Sequence, residues 1–235
     1  MNKSTIDEIR RRFDDDVERF SNLNTGQVST IDARLSLELI TESAKRICPN
    51  AKTLLDIGCG AGNYTLAMLG KIPNLDCTLL DLSGPMLDKA YERVKLCTLK
   101  TVNVIQSDIR TAPLRENYFD IILAGAVLHH LRDDDDWKYV FTKLYESLKP
   151  DGCLMISDLV VQNNAALTGY TWECYADYLT ETGGKEFCQK VLDYVEKEDT
   201  PRSINYQTSL MKSIGFKNID ILHKHFCFAA FCGIK

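Results

Sequence analysis

An apolar strand that runs directly into a three-glycine turn constrains the fold of this chain more than any other feature. The strand covers residues 54–57. Gly58, Gly60 and Gly62 follow it at a spacing of two. Because glycine lacks a Cβ and tolerates positive φ, such a turn can reverse sharply and bring backbone N–H groups against a ligand. A helix opening near Asn63 adds the positive end of its dipole, so this order of elements predicts a nucleoside-binding α/β unit.

An acid at the end of the next strand indicates what kind of ligand the turn holds. Asp81 lies about 20 residues beyond the glycines, where an acid accepts hydrogen bonds from ribose hydroxyls. The dinucleotide fingerprint G-x-G-x-x-G does not fit, because its third glycine would fall at a position that Asn63 occupies here. Asp56, just before the glycines, disfavours a pyrophosphate and favours a ligand that carries an ammonium group. S-adenosylmethionine has this chemistry.

The chain resembles the class I S-adenosylmethionine-dependent methyltransferases of the small-molecule type, over roughly Thr53 to the C-terminus. Five ordered signals carry the resemblance: Asp56 to Gly62, Leu79-Leu80-Asp81, Ser107-Asp108-Ile109, the strand 119–124 with Val127-Leu128-His129-His130-Leu131 after it, and Leu144 to Ile156 with its Pro-Asp-Gly turn. The resemblance implies S-adenosylmethionine as the cofactor.

The resemblance also implies which residues bind that cofactor. The glycines border its methionine part, and Asp81 holds the ribose with Leu82 beside the adenine. The implied set is Asp56, Gly58, Gly60, Asp81, Leu82, Met86, Asp108, Ile109 and Ala124. An ordinary helix-capping role stays open for Asp81, because a helix opens directly after it at Ser83-Gly84-Pro85.

His129, just past the fourth strand, is the predicted catalytic residue. Histidine has the right ordinary pKa to remove a proton from an acceptor near neutral pH, and the sulfonium is already a good leaving group. The alternative is a histidine held at a helix start by backbone hydrogen bonds. His130 is expected to face inward as a structural residue. No Asn-Pro-Pro-Tyr motif follows the strand and no Cys follows a Pro, so a small-molecule acceptor is favoured over a nucleic-acid base.

Alternating strand and helix patterns predict an α/β fold, a Rossmann-like doubly wound seven-stranded mostly parallel sheet with an antiparallel last strand and a helical lid insertion. The predicted strands are 53–57, 76–81, 102–106, 119–124, 153–159, 218–224 and 226–234. The predicted helices, after a helical region to about Ile47, are 62–70, 84–96, 134–148, 163–196 and 201–214. We expect one domain over residues 1–235, with a helical cap at 1–47 and the lid insertion at 160–200.

The insertion is rich in aromatic residues and has a Gly183-Gly184 break between two helical stretches. Its aromatics are Tyr170, Trp172, Tyr175, Tyr178, Phe187 and Tyr194. They either form a lid over the ligand edge of the sheet, together with Phe13, Phe20 and residues 22–28, or simply pack the two helices on the body. Both roles are compatible, and a lid would exclude water from a small acceptor.

Composition narrows the partners and the compartment. A net charge of −5 and a pI near 5.4 disfavour nucleic acid without excluding it. The sequence has no apolar run long enough for a bilayer and no signal sequence, so a cytoplasmic protein without a membrane partner is expected. A homodimer stays open. Nine cysteines without a C-x-x-C pair indicate neither a disulfide framework nor a zinc ribbon.

A short stripe near the C-terminus carries side chains of the types that bind metals. His223, His225 and Cys227 alternate along one predicted strand. Two such residues on one strand are usually ordinary side chains of a sheet, and we therefore expect no metal.

Three other functions remain open. The N- and C-terminal parts are similar to the carboxy-S-adenosylmethionine synthases of tRNA wobble-uridine modification, which hold the added carboxylate with an arginine in a Gln-Lys-Arg sequence. Here the matching stretch is Gln189-Lys190-Val191, and without the guanidinium the carboxylate loses its bidentate partner unless Arg202 or Lys190 replaces it. The other two are a non-catalytic ligand- or partner-binding domain and a nicotinamide-linked oxidoreductase.

Overall fold

The computed structural model describes residues 3–22 and 27–235. Within these residues seven strands form one sheet in the order β3-β2-β1-β4-β5-β7-β6. The strands are β1 Thr53–Ile57, β2 Asp76–Asp81, β3 Val102–Gln106, β4 Phe119–Gly125, β5 Leu148–Leu159, β6 Lys217–His225 and β7 Phe228–Ile234. β7 runs antiparallel to both of its neighbours and the other pairings are parallel. The predicted sheet, including the antiparallel last strand, is confirmed.

Helices connect the strands and precede the sheet. They are α1 Ile6–Asp14, α2 Val17–Ser21, α3 Ala33–Ile47, α4 Asn63–Lys71, α5 Gly84–Lys95, α6 Asp134–Ser147, α7 Ala165–Glu198 and α8 Ile204–Ile214, with a 3-10 turn at Leu128–His130. None of those in the described part of the chain has the length and apolarity that crossing a bilayer requires.

The central strands are apolar on both faces because helices cover both faces of the sheet. Leu55 of β1 and Ile122 of β4 belong to one buried cluster, which contains Trp137 of α6. Leu54 and Ile121, one residue earlier in each strand, belong to a second cluster on the opposite face. This is why the strands read as continuous apolar runs without alternation.

The strand order places a crevice where the ligand residues were predicted. β1 pairs with β2 on one side and with β4 on the other, so the connections after β1 and β4 leave the sheet in opposite directions. In open α/β sheets, ligands bind at the carboxyl ends of the strands beside such a switch point. The loops after β1, β2 and β4 therefore meet at one edge.

Most element bounds agree with the predicted ones within three residues, and β5 is the exception. It begins at Leu148 and not at residue 153. Phe119 pairs with Leu148 and Ile121 with Cys153, so an irregularity holds the residues between them. Asp151 has a φ of 64° within this stretch. The Pro-Asp-Gly turn that the sequence predicts before this strand is thus a bulge inside β5.

The predicted break in the insertion is present. Gly184 has φ 83° and ψ 176° and divides α7 into two helical stretches. Tyr175 and Leu179 on the first stretch pack with Val191 on the second, in a cluster that also holds Ile31 and Phe228. The two stretches of α7 therefore pack on the rest of the protein, which is one of the two alternatives that the sequence left open.

Candidate active site

A cavity of about 220 Å³ lies at the carboxyl edge of the sheet, between the loops after β1, β2 and β4 and the helices α1 and α7. Eight of the ten predicted site residues line it: Gly58, Gly60, Asp81, Leu82, Met86, Asp108, Ile109 and His129. Among the lid aromatics, Tyr175 and Tyr194 line it, together with Phe13 and Phe20. Of the predicted lid segment 22–28, residues 23–26 lie outside the described residues, while Gln27 lines the cavity.

The glycine turn has the backbone that its sequence predicts. Gly58, Gly60 and Gly62 have φ values of 60°, 50° and 83°, which other residues adopt only with strain. Gly58 is also sterically required, because a Cβ there would lie 2.5 Å from Cγ2 of Val127. A Cβ on Gly60 would meet nothing within 4 Å, so this part of the turn is open.

Asp81 is fixed by the turn that it faces. Its Oδ2 accepts a hydrogen bond from the Gly60 N–H at 2.8 Å, and its Oδ1 accepts one from the Ser83 N–H at 2.9 Å. Burial raises the pKa of this carboxyl, and the backbone hydrogen bonds oppose that rise. The helix cap of α5 is the Ser83 hydroxyl, which accepts from Met86 N–H, so Asp81 is not the capping residue. The Asp81 carboxylate is therefore held in a fixed orientation at the cavity wall, where it can act as a hydrogen-bond acceptor.

Asp56, which is also predicted to bind the cofactor, does not line the cavity. Its Oδ2 accepts hydrogen bonds from the Thr65 hydroxyl at 2.6 Å and the Thr65 N–H at 3.1 Å, which turn it toward the first turn of α4. The side chain is buried, and burial raises its pKa to about 7. In this arrangement the Asp56 carboxylate is bonded to Thr65 of α4, and its predicted role toward the ligand stays a prediction.

Ala124 is the other predicted residue that does not line the cavity. It belongs to β4 and is fully buried in the core, and the next three residues line the cavity. At Gly125 a Cβ would lie 2.7 Å from Cε2 of Tyr64, so only glycine fits there. Ala126 has a φ of 53°, which marks the sharp departure of the chain from β4.

Asp108 lies at the cavity, but its carboxylate is already paired. Nε and Nη2 of Arg110 donate to its two oxygens at 2.9 and 2.6 Å, and Arg110 also reaches Asp136 at 2.7 Å. Burial alone would raise the pKa of Asp108, and the Arg110 hydrogen bonds hold it below its ordinary value. A ligand at this wall would therefore meet a neutralised acid and the apolar side chain of Ile109.

Two histidines and two buried acids form the opposite wall. His129 Nδ1 pairs with Asp158, whose Oδ2 also accepts from the His129 N–H at 3.1 Å. His129 Nε2 lies 3.7 Å from Asp199 Oδ1, and His130 Nδ1 lies 3.1 Å from the same oxygen. Burial lowers the pKa of His129, but the two carboxylates outweigh it and raise the pKa to about 9. This direction favours the imidazolium form of His129 at neutral pH.

The predicted roles of these histidines change accordingly. His129 lines the cavity, but its raised pKa favours the protonated form, which cannot accept a further proton. His130 was expected to face inward, yet it lines the cavity and contacts the Phe13 ring edge-on at a centroid distance of 6.1 Å. Both rings are candidates for contact with an acceptor.

Several residues of this wall were missed in the sequence. Asp158 is an acid at the carboxyl end of a strand, β5, as Asp81 is of β2. The same sequence signal could therefore have identified it. Asp199 and Arg12 give no local signal, since their partners are distant in the chain. Arg12 donates to both oxygens of Glu198, and its guanidinium carbon lies 4.7 Å from the centre of the Tyr194 ring.

Sequence comparisons relate this geometry to known proteins. A family described as a methyltransferase domain matches residues 54–152. The chain is 26% identical over 226 residues to the carboxy-S-adenosyl-L-methionine synthase of Nautilia profundicola, covering 95% of this chain and 94% of that protein. It is 26% identical over 204 residues to the demethylmenaquinone methyltransferase of Listeria welshimeri, covering 86% of this chain and 83% of that protein.

A solved structure shares the fold. It is the 1,6-didemethyltoxoflavin-N1-methyltransferase of Burkholderia thailandensis, with bound 1,6-didemethyltoxoflavin and S-adenosylhomocysteine. The TM-score is 0.66 at 14% identity, over 100% of this chain and 92% of that one. The family match covers the glycine turn, Asp81 at the end of β2, Asp108 and His129, and it ends before Asp158. Residues 54–152 therefore match a methyltransferase domain, and the chain has a methyltransferase-like fold with distant similarity to the carboxy-S-adenosyl-L-methionine synthases and the demethylmenaquinone methyltransferases.

Proposed function

We propose that this protein transfers the methyl group of S-adenosylmethionine to a small-molecule acceptor. The observation that carries the proposal is Asp81, a buried acid held by the N–H groups of Gly60 and Ser83 at the cavity wall. A carboxylate fixed in this way can accept hydrogen bonds from two neighbouring hydroxyls of a ribose without reorganising.

The other parts of S-adenosylmethionine, the methyl donor, are proposed to bind along the same wall as its ribose. We call the wall formed by Gly58, Gly60, Asp81, Leu82, Met86, Asp108 and Ile109 the donor half. The open backbone at Gly60 borders the methionine part, and the apolar side chains of Leu82, Met86 and Ile109 contact the adenine. Because Arg110 neutralises Asp108, that wall suits an uncharged base.

The acceptor is proposed to bind against the opposite wall. We call the wall formed by Arg12, His129, His130, Asp158, Tyr175, Tyr194 and Asp199 the acceptor half. In the reaction, a lone pair of the acceptor bonds to the methyl carbon as the carbon–sulfur bond breaks, and the electron pair stays on sulfur. Holding the two reactants in line supplies on the order of 7–11 kcal/mol of the barrier. The aromatic rings of α1 and α7 restrict the acceptor to a small molecule.

His129 is proposed to position the acceptor half and not to remove the proton. An imidazolium between Asp158 and Asp199 neutralises one of two buried carboxylates and fixes their orientation. His130 has a second ring nitrogen, Nε2, in addition to the Nδ1 that lies near Asp199. His130 is therefore the better candidate for taking a proton from the molecule that is methylated.

A carboxy-S-adenosylmethionine synthase is the second candidate, and the similarity over 95% of the chain supports it. The side-chain geometry favours the methyl transferase. Lys190 is exposed, and Arg202 pairs with Asp134 at 2.7 Å; neither lines the cavity. Within the described residues, the guanidinium groups that line it are those of Arg12 and Arg110, and both are engaged by carboxylates of the protein.

Calorimetry and mass spectrometry test the proposal together. S-adenosylhomocysteine should bind and raise the melting temperature while NAD does neither. The ligand retained on purification should have the mass of S-adenosylmethionine or its demethylated product, and not that mass plus a carboxyl group. A metabolite screen for S-adenosylhomocysteine formation then seeks the acceptor.

Each alternative has its own signature in these measurements. A carboxylated ligand would identify the synthase, and NAD binding would identify an oxidoreductase. S-adenosylhomocysteine binding without turnover of any metabolite would favour a non-catalytic domain. The variant Asp81→Asn should abolish the melting-temperature shift, whereas Asp88→Asn, on the exposed face of α5, should retain it.

A further inference from the structure

Two histidines of an edge strand and one aspartate from the opposite end of the chain meet at the surface. His223 and His225 lie two residues apart on β6 and therefore project from the same face of the strand. Their Nε2 and Nδ1 atoms lie 2.9 and 2.7 Å from a single oxygen, Oδ2 of Asp32. One ligand atom from each of the three residues falls within 4.8 Å of the others.

This donor set matches a divalent transition metal. Two neutral imidazoles and one carboxylate are ligands of Zn²⁺, which binds them at about 2.0–2.2 Å. Tetrahedral geometry would separate the donors by about 3.3 Å, so the present contacts need to open by roughly half an ångström. The side chains of His223, His225 and Asp32 are 21%, 43% and 35% exposed. An ion can reach them, and a fourth position stays open to water.

The backbone of Asp32 indicates that its carboxylate is committed to this cluster. The residue precedes α3, where an aspartate ordinarily adopts an extended backbone and caps the helix with its side chain. Asp32 instead has φ 54° and ψ 29°, and its side chain makes no capping hydrogen bond. The carboxylate is turned toward the histidines.

Cys227 does not take part, although the sequence places it in the same stripe. Its side chain is fully buried in the cluster with Ile31 and Phe228, beyond the end of β6. The third ligand is thus a residue that no local pattern connects to the histidines. The other His-rich cluster, His129 with His130 and Asp199, is buried in the cavity wall and belongs to the acceptor half.

We propose that Asp32, His223 and His225 form a Zn²⁺ site with three protein ligands and one water. The site joins two segments that border the cavity. Residues 29–30, just before Asp32, line the cavity, and Phe228, just after the β6–β7 turn, lines it from the other side. The ion would therefore connect one cavity wall to the last hairpin.

The test is titration of the purified, metal-free protein with Zn²⁺ by calorimetry, and with Co²⁺ by visible absorption. One equivalent should bind, and Zn²⁺ should raise the melting temperature by several degrees. His223→Ala and Asp32→Asn should each weaken Zn²⁺ binding at least tenfold. Because Cys97 is an exposed thiol that could bind zinc by itself, the matched control is Cys97→Ser, which should bind as the parent does.

The design separates a metal site from a simple ion pair. Loss of the Asp32 contacts can lower the melting temperature of a variant without metal, so the readout is the difference between the curves with and without Zn²⁺. Folding of each variant is checked by S-adenosylhomocysteine binding and circular dichroism. Absence of stoichiometric binding to the parent protein, or binding that persists in the His223→Ala, His225→Ala double variant, would overturn the proposal.

Discussion

The donor half and the acceptor half of the cavity are built by different means. In the donor half, backbone N–H groups of the loops that follow β1 and β2 donate to a single carboxylate, as Gly60 does to Asp81. In the acceptor half, side chains from distant segments pair with one another, as Arg12 does with Glu198 and His129 with Asp158. A binding site formed by backbone groups suits a ligand that does not vary. In a wall formed by side chains, amino-acid substitutions can change which methyl acceptor binds. Variants in the two halves should therefore fail differently.

The largest expected effect lies in the donor half, at Asp81. Asp81→Ala removes the acceptor for the ribose hydroxyls and releases the Gly60 and Ser83 N–H groups. Since each hydrogen bond to a charged group contributes about 1.5–3 kcal/mol, S-adenosylhomocysteine affinity should fall on the order of 100- to 1000-fold. Calorimetry measures this, with Asp88→Ala as the control for an acid of α5. A loss of less than tenfold would place the ribose elsewhere.

Gly58 tests whether the donor half depends on close packing. Gly58→Ala puts a Cβ 2.5 Å from Val127 and at a φ of 60°, so the free energy of unfolding should fall by about 2–4 kcal/mol. Chemical denaturation measures it. Gly70→Ala in α4, where a Cβ meets nothing, should be neutral or stabilising.

A second substitution separates the two causes of that loss. Val127→Ala in the Gly58→Ala background should recover the part due to the clash and leave the part due to the backbone. If the double variant is no more stable than Gly58→Ala, then crowding against Val127 does not determine the need for glycine.

The acceptor half should lose turnover while keeping the cofactor. His129→Asn retains a donor for Asp158 but removes the charge, and kcat should fall about 10- to 100-fold with S-adenosylhomocysteine affinity changed by less than about threefold. Single-turnover kinetics and calorimetry distinguish the two quantities. An equal loss of both would mean that His129 contacts the cofactor.

The charge of His129 also predicts a pH dependence of stability. Its carboxylate partners raise the pKa from an ordinary 6.5 to about 9 in the folded protein. The contribution is thus complete below about pH 6.5 and is lost as the pH rises through 9. The stability difference between the parent and His129→Asn should shrink over this range, by on the order of 3 kcal/mol. A difference independent of pH would mean a neutral ring.

The same contrast explains how much could be predicted from the sequence. The glycine turn, Asp81 and the strands around them are specified by residues close together in the chain, so local patterns predict them. The bulge in β5 and the pairing of Arg12 with Glu198 depend on contacts between distant segments, which no single pattern contains. His129 was predicted from its position after β4, but its raised pKa follows first from Asp158 and then from Asp199, and Asp199 lies in a distant segment after α7.

Asp56 should have the smallest effect on ligand binding, although its sequence position is the most suggestive. Because its carboxylate is turned toward Thr65 and does not line the cavity, Asp56→Asn should change S-adenosylhomocysteine affinity by less than threefold. The substitution should instead change the free energy of unfolding. Burial raises the carboxyl pKa from 3.8 to about 7, so ionisation costs the folded protein stability as the pH rises from about 4 to 7.

Asp56→Asn removes this cost, and its advantage over the parent in chemical denaturation should grow between pH 4 and 7 and stay constant above pH 7. Thr65→Ser, which keeps a hydroxyl donor, is the matched control and should follow the parent curve. An affinity loss of tenfold or more in Asp56→Asn would mean that the carboxylate does face the ammonium group, because a group that acts only from behind the turn cannot distinguish a carboxylate from an amide acceptor of the same shape.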